Sequence, residues 1–537
     1  MPPPEIYPRR FQRCWTWWFM LAVLALVAGA RLRLLDFPLE RDEGEYAYAG
    51  QLILQGFPPY ELAYNMKFPG TYLAYAGIMA VFGQTPAGIH LGLLLMTTGT
   101  AMMLFWLGKK ILDETAGVVA ATGYALLAAS PSMLGLAGHA THFCAFFVTA
   151  GLCGLWRARQ AESRMAAFIA GILLGLAVLM KQHAVIIAAW AGIAFAATCF
   201  RFAGIPWNRR LWLVAVCALG MLLPIILCGG LLWYLGVFGK FWFWTIDYAR
   251  QYAVIKSGSD AVLQFWLVFP PVAATTVLLW LLAAAGLMLI WFDERLRGLR
   301  LWLASFSLAS ALTVVPGFYF RPHYFLVTLP AVALCAGCAV SGIIWLQSNG
   351  NKPSVRNLLL AVYAVFIAAT FFVNRDLWFL KSSVQASREI YGLPLFADAE
   401  NVANFIRTNS LAAARVAVIG SEPEIYFLAR RHSATGYIYT YPLMELQPFA
   451  LKMQDEMILE IETVAPEFIV YVPGDTSWGR GAGSNPKIFD WWGVYQTNYT
   501  RVLSVDEPAS AGKPLGCALF VYQRNLSGTG GAVVPPR

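Results

Sequence analysis

Long apolar runs separated by short polar stretches dominate the chain. Runs of membrane-spanning length occur at about eleven places: 15–35, 88–108, 115–136, 143–156, 165–181, 183–200, 211–237, 265–292, 301–318, 323–346 and 357–374. Alternate interruptions are short and basic. They carry "GKK" (Lys109, Lys110), "RARQAESR" (Arg157, Arg159, Arg164), "RFAGIPWNRR" (Arg201, Arg209, Arg210), "DERLRGLR" (Arg295, Arg297, Arg300) and "NKPSVR" (Lys352, Arg356). The other interruptions are longer and mixed in sign. Because Lys and Arg collect on the cytoplasmic side, the N-terminus is expected inside, and an odd span count puts the C-terminus outside. The opening "YPRRFQRCWTWWFMLAVLALVAGA" has the charge and small-residue pattern of a signal peptide. Its spanning length and interfacial tryptophans favour a retained first helix.

This scheme exports three segments. The first, 36–89, holds an acidic cluster. The second, 239–264, is rich in aromatics and reads as a helix in the interface plane, anchored by Trp242, Trp244 and Tyr248. The third follows Asn374. There "ARVAVIG" (Ala414–Gly420), "FIVYV" (Phe468–Val472) and "CALFVYQR" read as strands with helical patterns between them, which predicts a small α/β layer. In "SEPEIYFLARR", Ser421 and Glu424 have the spacing of a capping box. The organisation expected is a transmembrane domain over 1–374, an exported α/β domain over 375–524 and a disordered tail over 525–537.

Composition agrees with the pattern. The 537 residues are 58% hydrophobic and 13% charged, with mean hydropathy +0.58. A soluble interior could not absorb that much apolar surface, so the chain is read as a mainly α, polytopic membrane bundle. The net charge of +9 is scattered between apolar runs and forms no stripe, so nucleic acid is not an expected partner. Eight of the nine cysteines lie in or beside apolar runs, and the "CAGC" pair Cys335 and Cys338 reads as helix packing among small residues.

The candidate chemistry begins at "LERDEGEYAYAG". Glu40, Asp42, Glu43 and Glu45 cluster at a membrane boundary, where carboxylates are costly unless solvated, paired or used. The same segment brings one isolated lysine, Lys67, before Phe68, Pro69 and Gly70. An acid cluster and a lone lysine suit a reaction between a hydroxyl and an anionic leaving group. The acid takes the proton and the lysine holds a phosphate.

An acidic pair after the first helix, followed by Lys-x-Pro before the second span, resembles the C-type membrane glycosyltransferases. The chain is most similar to the bacterial family 39, with protein O-mannosyltransferases and lipid A aminoarabinose transferases as cousins. "GYALLAASPSMLGLAGHATHFCAFF", "GLAVLMKQHA", "GFYFRPHYFLVTLPAVALCAG" and "VAVIGSEPEIYFLARR" resemble family segments in the same order.

The resemblance implies an inner-membrane enzyme that moves a sugar from a polyprenyl-phosphate donor to a lipid, glycan or protein acceptor at the periplasmic face. Inversion at the sugar and no cofactor are implied as well. Asp42 matches the family's general base, with Glu43 second in line, and a partly apolar cleft is expected to raise the Asp42 pKa toward working pH. Lys67 matches the lysine that meets the lipid phosphate. Arg321, His323 and Tyr324 lie where the family closes the phosphate site, and Lys181 ends an apolar run at the same face. Glu45, His139 and His142 are expected at the acceptor cleft. Many members carry an acid where this chain has "GHATHF". His139 and His142 near Asp42 have the chemistry of zinc ligands, but this branch works without a metal, and none is expected. The alternative class is a transporter or lipid flippase, which calls for ionisable groups near mid-membrane and an inverted repeat.

Overall fold

The computed structural model describes residues 9–201, 206–348, 353–505 and 518–525. The expected tail beyond residue 525 lies outside the described residues. Helices dominate up to Leu380, and six open the chain: α1 (Arg9–Arg33), α2 (Arg41–Leu54), α3 (Gly70–Phe82), α4 (Pro86–Ile111), α5 (Glu114–Ala128) and α6 (Ala140–Ala161).

Among the described residues, five helices are long and apolar enough to cross a membrane: Thr16–Arg33, Pro86–Ile111, Gln182–Arg201, Trp207–Tyr234 and Pro322–Leu346. The pair Gly258–Ala274 and Val277–Leu289, bent by 109°, has the apolar length of a broken span or a re-entrant loop. The eleven apolar runs thus yield five or six spans by length and composition, because turns cut several runs short. Helix α5 stops at Ala128 before the turn Pro131–Met133, and Arg300–Leu312 ends ahead of Pro316. The run 265–292 breaks just past Pro270 and Pro271, where proline removes backbone donors. Gly286 lies so close to the Cys335 carbonyl that a Cβ would collide with it, which is the close packing expected around "CAGC".

Beyond residue 380 the chain forms a five-stranded sheet, β1 (Arg415–Ile419), β2 (His432–Ser433), β3 (Phe468–Tyr471), β4 (Tyr499–Val505) and β5 (Leu519–Arg524), in the order β2-β1-β3-β5-β4. β1 pairs in parallel with β2 and β3, whereas β5 runs antiparallel to β3 and β4. Strand alternation sends Val416 and Val418 to one face and Ala417 and Ile419 to the other. The first pair joins the continuous core that begins in α1, and the second joins a separate cluster with Trp244, Tyr248 and Tyr437.

That second cluster revises the interfacial helix. Trp242 is 48% exposed, but Trp244 and Tyr248 are 3% and 1% exposed. Tyr248 donates to Glu445 at 2.5 Å, so these two rings hold the sheet unit and are not membrane anchors. The capping box is not formed either. The helix is Glu424–Ala429 with Pro423 at the cap position, and the Ser421 hydroxyl bonds Thr440 at 2.9 Å. Proline already fixes the φ that starts a helix, so the helix begins two residues later than the capping pattern implies.

α2 touches the sheet unit at its backbone. A Cβ at Gly44 would come within 2.5 Å of the Glu424 nitrogen, in a helix whose neighbours at 42, 43 and 45 carry the acids. Gly44→Ala is therefore expected to destabilise the protein by about 1–3 kcal/mol through overpacking. A thermal melt of the detergent-solubilised variant against the parent checks this, and an unchanged melting temperature would show that the two elements are free to separate.

Candidate active site

The acid cluster is organised by helix geometry. Glu40 precedes α2, and its side chain accepts from the Glu43 N–H at 3.0 Å, capping the helix. Residues three apart share a helix face, so Asp42 and Glu45 point together while Glu43 points away. The shared face meets Lys67, whose Nζ donates to Asp42 Oδ1 at 2.6 Å and to Glu45 Oε2 at 2.7 Å. Glu45 also accepts from the Tyr72 hydroxyl at 2.5 Å and from Asn65 Nδ2 at 2.8 Å. The Lys67 ammonium lies 4.5 Å from the Tyr46 ring centre, a cation–π distance.

The second oxygen of Asp42 faces two histidines brought from distant parts of the chain. His323 Nε2 lies 3.7 Å and His139 Nδ1 3.9 Å from Oδ2, and the two rings stack with centres 4.2 Å apart. His139 Nδ1 is also 3.7 Å from Glu40. Neither ring nitrogen of His139 has a hydrogen-bond partner among the described residues, although the side chain is buried. Asp42, His139 and His323 offer ligand atoms within 4.8 Å of one another, so this trio can hold a divalent cation. His142, the other member of the "HATH" pair, is turned away, with Nε2 3.3 Å from the Ala128 carbonyl. Residues three apart in sequence are thus separated in role, because His139 precedes α6 and His142 lies inside it.

The remaining expected residues border the same place. Lys181 lies 3.6 Å from the Tyr324 ring centre, and both line a small cavity with Thr141, Cys144, His183 and Thr313. Arg321 stands over Tyr319 at 5.6 Å, and its charge acts on Asp42. Among the described residues, no carboxylate lies within ion-pair distance of Lys181 or Arg321. Basic groups therefore border the Asp42 end of α2; Lys67 is paired with Asp42 and Glu45, and Arg41 with Glu422.

Burial by itself would raise the Asp42 pKa, but Lys67 beside it, followed by His323 and His139, outweighs burial and holds the carboxyl well below its ordinary range. The expected upward shift is therefore reversed in this state, because the Lys67 ammonium touches the acid. Burial raises Glu45 despite the same lysine. Glu40 is raised strongly, by burial and then by the charges of Asp42 and Glu43. His139 is pushed down to about 4 by burial, which keeps its ring neutral at pH 7.

Four partners were not picked out from the sequence. Arg41 donates to the Ser421 carbonyl and to Glu422, both at 3.0 Å, which ties α2 to the sheet unit. Tyr72 and Asn65 complete the Glu45 site. A lone histidine in the apolar run "AGIHLGLLL", His90, bonds Glu43 at 3.1 Å. An ionisable residue inside such a run is the signal that could have found it.

Lys67→Met leaves two buried carboxylates unpaired and is expected to cost about 3 kcal/mol. The sign with pH is fixed. A depressed Asp42 stabilises the parent fully above its ordinary value of 3.8, and that contribution is lost only as pH falls below it. In the variant both acids are raised, so stability recovers as pH falls and they take up protons. Melting curves from neutral to mildly acidic pH should show the gap between variant and parent narrowing. A gap independent of pH would remove Lys67 from the electrostatics of the acids.

No protein-family model matches the chain. It is 28% identical over 365 residues to the undecaprenyl phosphate-α-4-amino-4-deoxy-L-arabinose arabinosyl transferase of Pseudomonas aeruginosa strain LESB58. That match takes in 63% of this chain and spans 62% of the relative's length. The crystal structure of ArnT from Cupriavidus metallidurans bound to undecaprenyl phosphate superposes with a TM-score of 0.60 at 15% identity, over 96% of this chain and 98% of that one. The apo structure of the same protein gives 0.55 at 15% identity, over 95% and 98%. Superposition over nearly the whole length of both chains bears out the resemblance read from the sequence: this multi-pass membrane protein has the fold of the C-type membrane glycosyltransferases.

Proposed function

We propose that the protein is an inner-membrane glycosyltransferase that moves a sugar from a polyprenyl-phosphate donor to the hydroxyl of a lipid, glycan or protein acceptor. The observation that carries this reading is the Asp42–Lys67 pair, with the unneutralised Lys181 and Arg321 around it. Lys67 and Lys181 are partly buried and Arg321 is exposed, so basic groups line the approach to Asp42, and burial lowers Lys181 to about 7, where a bound anion would favour its charged form. The name of the Pseudomonas relative, a transferase whose sugar is carried on undecaprenyl phosphate, supports that donor class.

In this reading the donor enters from the bilayer and its phosphate meets Lys67, with Arg321, His323, Tyr324 and Lys181 around the leaving oxygens. Drawing Lys67 toward the phosphate frees Asp42 Oδ1, and the Asp42 pKa rises as its ammonium partner is shared. Asp42 then takes the acceptor's hydroxyl proton, the acceptor oxygen bonds the anomeric carbon, and the carbon–phosphate oxygen bond breaks with inversion. Polyprenyl phosphate leaves. Glu45 stays bonded to Tyr72 and Asn65 and keeps Lys67 near the site. The acceptor, with His139 at its cleft and His142 turned away into α6, arrives from the periplasmic side, where the α/β unit over 375–524 lies.

Transfer of labelled sugar from a panel of polyprenyl-phosphate monosaccharides, in purified parent and Asp42→Asn, tests the reading. The parent should transfer one sugar of the panel, and the folded variant should lose about 10²–10⁴-fold in rate, the usual contribution of a general base. Transfer that survives in Asp42→Asn would move the base elsewhere. Absence of both transfer and donor binding in the parent would overturn the class.

A further inference from the structure

Glu43 and His90 take no part in the chemistry just described, yet they form a buried pair beside it. Glu43 is fully buried, and its Oε1 accepts from the Gly138 N–H at 2.5 Å and faces His90 Nε2 at 3.1 Å. With Oε1 engaged by the Gly138 N–H and both oxygens facing His90, Glu43 is read here as a structural partner of the site. His90 comes from α4, and its other nitrogen, Nδ1, lies 2.7 Å from the Leu35 carbonyl.

The ring therefore stands between two oxygens that accept hydrogen bonds. A backbone carbonyl has no proton to give, and neither has an ionised carboxylate. With Glu43 ionised, both contacts are made together only when both ring nitrogens carry hydrogen, and the proposal takes this imidazolium–carboxylate form, which has no net charge. A buried pair of this kind survives when its remaining hydrogen-bonding capacity is filled, as the Leu35 carbonyl and the Gly138 N–H fill it.

What the pair holds is a single peptide unit. The Gly138 N–H goes to Glu43, and its carbonyl accepts from the Tyr75 hydroxyl at 2.6 Å. A Cβ at Gly138 would collide with that hydroxyl, so glycine is required here by close approach. The preceding turn is fixed by Arg31, whose guanidinium donates to the Ala128 carbonyl at 2.7 Å and the Gly135 carbonyl at 2.8 Å. α1, α2, α3 and α4 each supply one side chain to this grip: Arg31, Glu43, Tyr75 and His90. The next residue in the chain is His139, stacked on His323 and facing Asp42.

We propose that His90 is a positioning residue for the transfer reaction. It holds Glu43 against the Gly138 peptide, and that peptide sets where His139, and the His323 ring stacked on it, stand against Asp42. This rests on the transferase reading for its kinetic consequence but not for its geometry.

The test combines kinetics with histidine spectra on the full-length protein. Three variants are compared with the parent: His90→Leu, His90→Gln, whose amide still donates toward Glu43, and Tyr75→Phe, which frees the Gly138 carbonyl. His90→Leu should lower kcat by roughly tenfold or more while the donor KM stays within about twofold, the signature of misplaced reacting groups. His90→Gln should recover most of that loss, and Tyr75→Phe should lower kcat with the same sparing of KM. Nitrogen NMR of ¹⁵N-histidine-labelled parent at neutral pH should show one imidazolium that is absent from His90→Gln and lost in Glu43→Gln.

An unchanged kcat in His90→Leu, or a loss confined to KM, would overturn the positioning role. A neutral His90 ring in the parent would overturn the pair itself. If the parent transfers no sugar, the transferase reading falls, and the NMR arm decides the pair alone. If His90→Leu does not fold, His90→Gln, Tyr75→Phe and the spectra carry the decision.

Discussion

One half-buried ammonium, Lys67, held at 2.6 Å from Asp42 and 2.7 Å from Glu45, is the contact on which the rest of the site depends. Four acids within six residues would repel one another in a low dielectric, and no arrangement of the surrounding helices removes that cost. Lys67 offsets it for two of them by direct contact. Glu43 is satisfied separately by His90 and the Gly138 N–H, and Glu40 is used as a helix cap. Each acid of the cluster thus has its own solution, and α2 is the rod that carries all four. The helix is in turn fixed at its start by Arg41, which reaches across to Glu422 in the sheet unit.

This arrangement explains why a membrane bundle and a mixed sheet are joined at a polar seam. Gly44 lies against the Glu424 backbone, and Tyr248 reaches Glu445. The carboxylates therefore sit where three parts of the chain meet: the segment after α1, the turn before α6 and the stretch around His323. An anion entering such a seam finds Lys181 and Arg321, which have no carboxylate partner among the described residues, and Lys67 already shared between two acids. In the proposed reaction the same lysine serves the acid before the donor arrives and the phosphate afterwards. A depressed Asp42 pKa in the free protein is then compatible with a base role, because the group that depresses it is the group the donor recruits.

Much of this was legible in the sequence because intramembrane and boundary charge is expensive. Four acids and one lysine on a segment flanked by apolar runs had to be paired or used, and the structure pairs them. The fold class followed from the same runs, and three strands of the sheet followed from short β-branched stretches. What escaped had non-local causes. The stacking of His139 on His323 joins residues far apart in the chain, and nothing near either one announces it. Local pattern suggested His139 with His142, three apart, but the start of α6 sends them to different places. Trp244 and Tyr248 looked like interfacial anchors by residue type, whereas tertiary packing buries them. β4 was missed because Thr500, Arg501 and Val502 leave it an exposed edge with little apolar alternation. Apolar composition does not reveal where a run bends or stops, as at the break after Ala274 and ahead of Pro316.

The central claim is that Lys67 changes partners when the donor binds. A structure of the protein in lipid nanodiscs with a non-hydrolysable polyprenyl-phosphate sugar analogue measures this directly. The account predicts Lys67 Nζ on a phosphate oxygen, beyond hydrogen-bond reach of Asp42, about 3.2 Å, with Glu45 retained as its neighbour. A phosphate bound elsewhere, with Lys67 still in contact with Asp42, would contradict it.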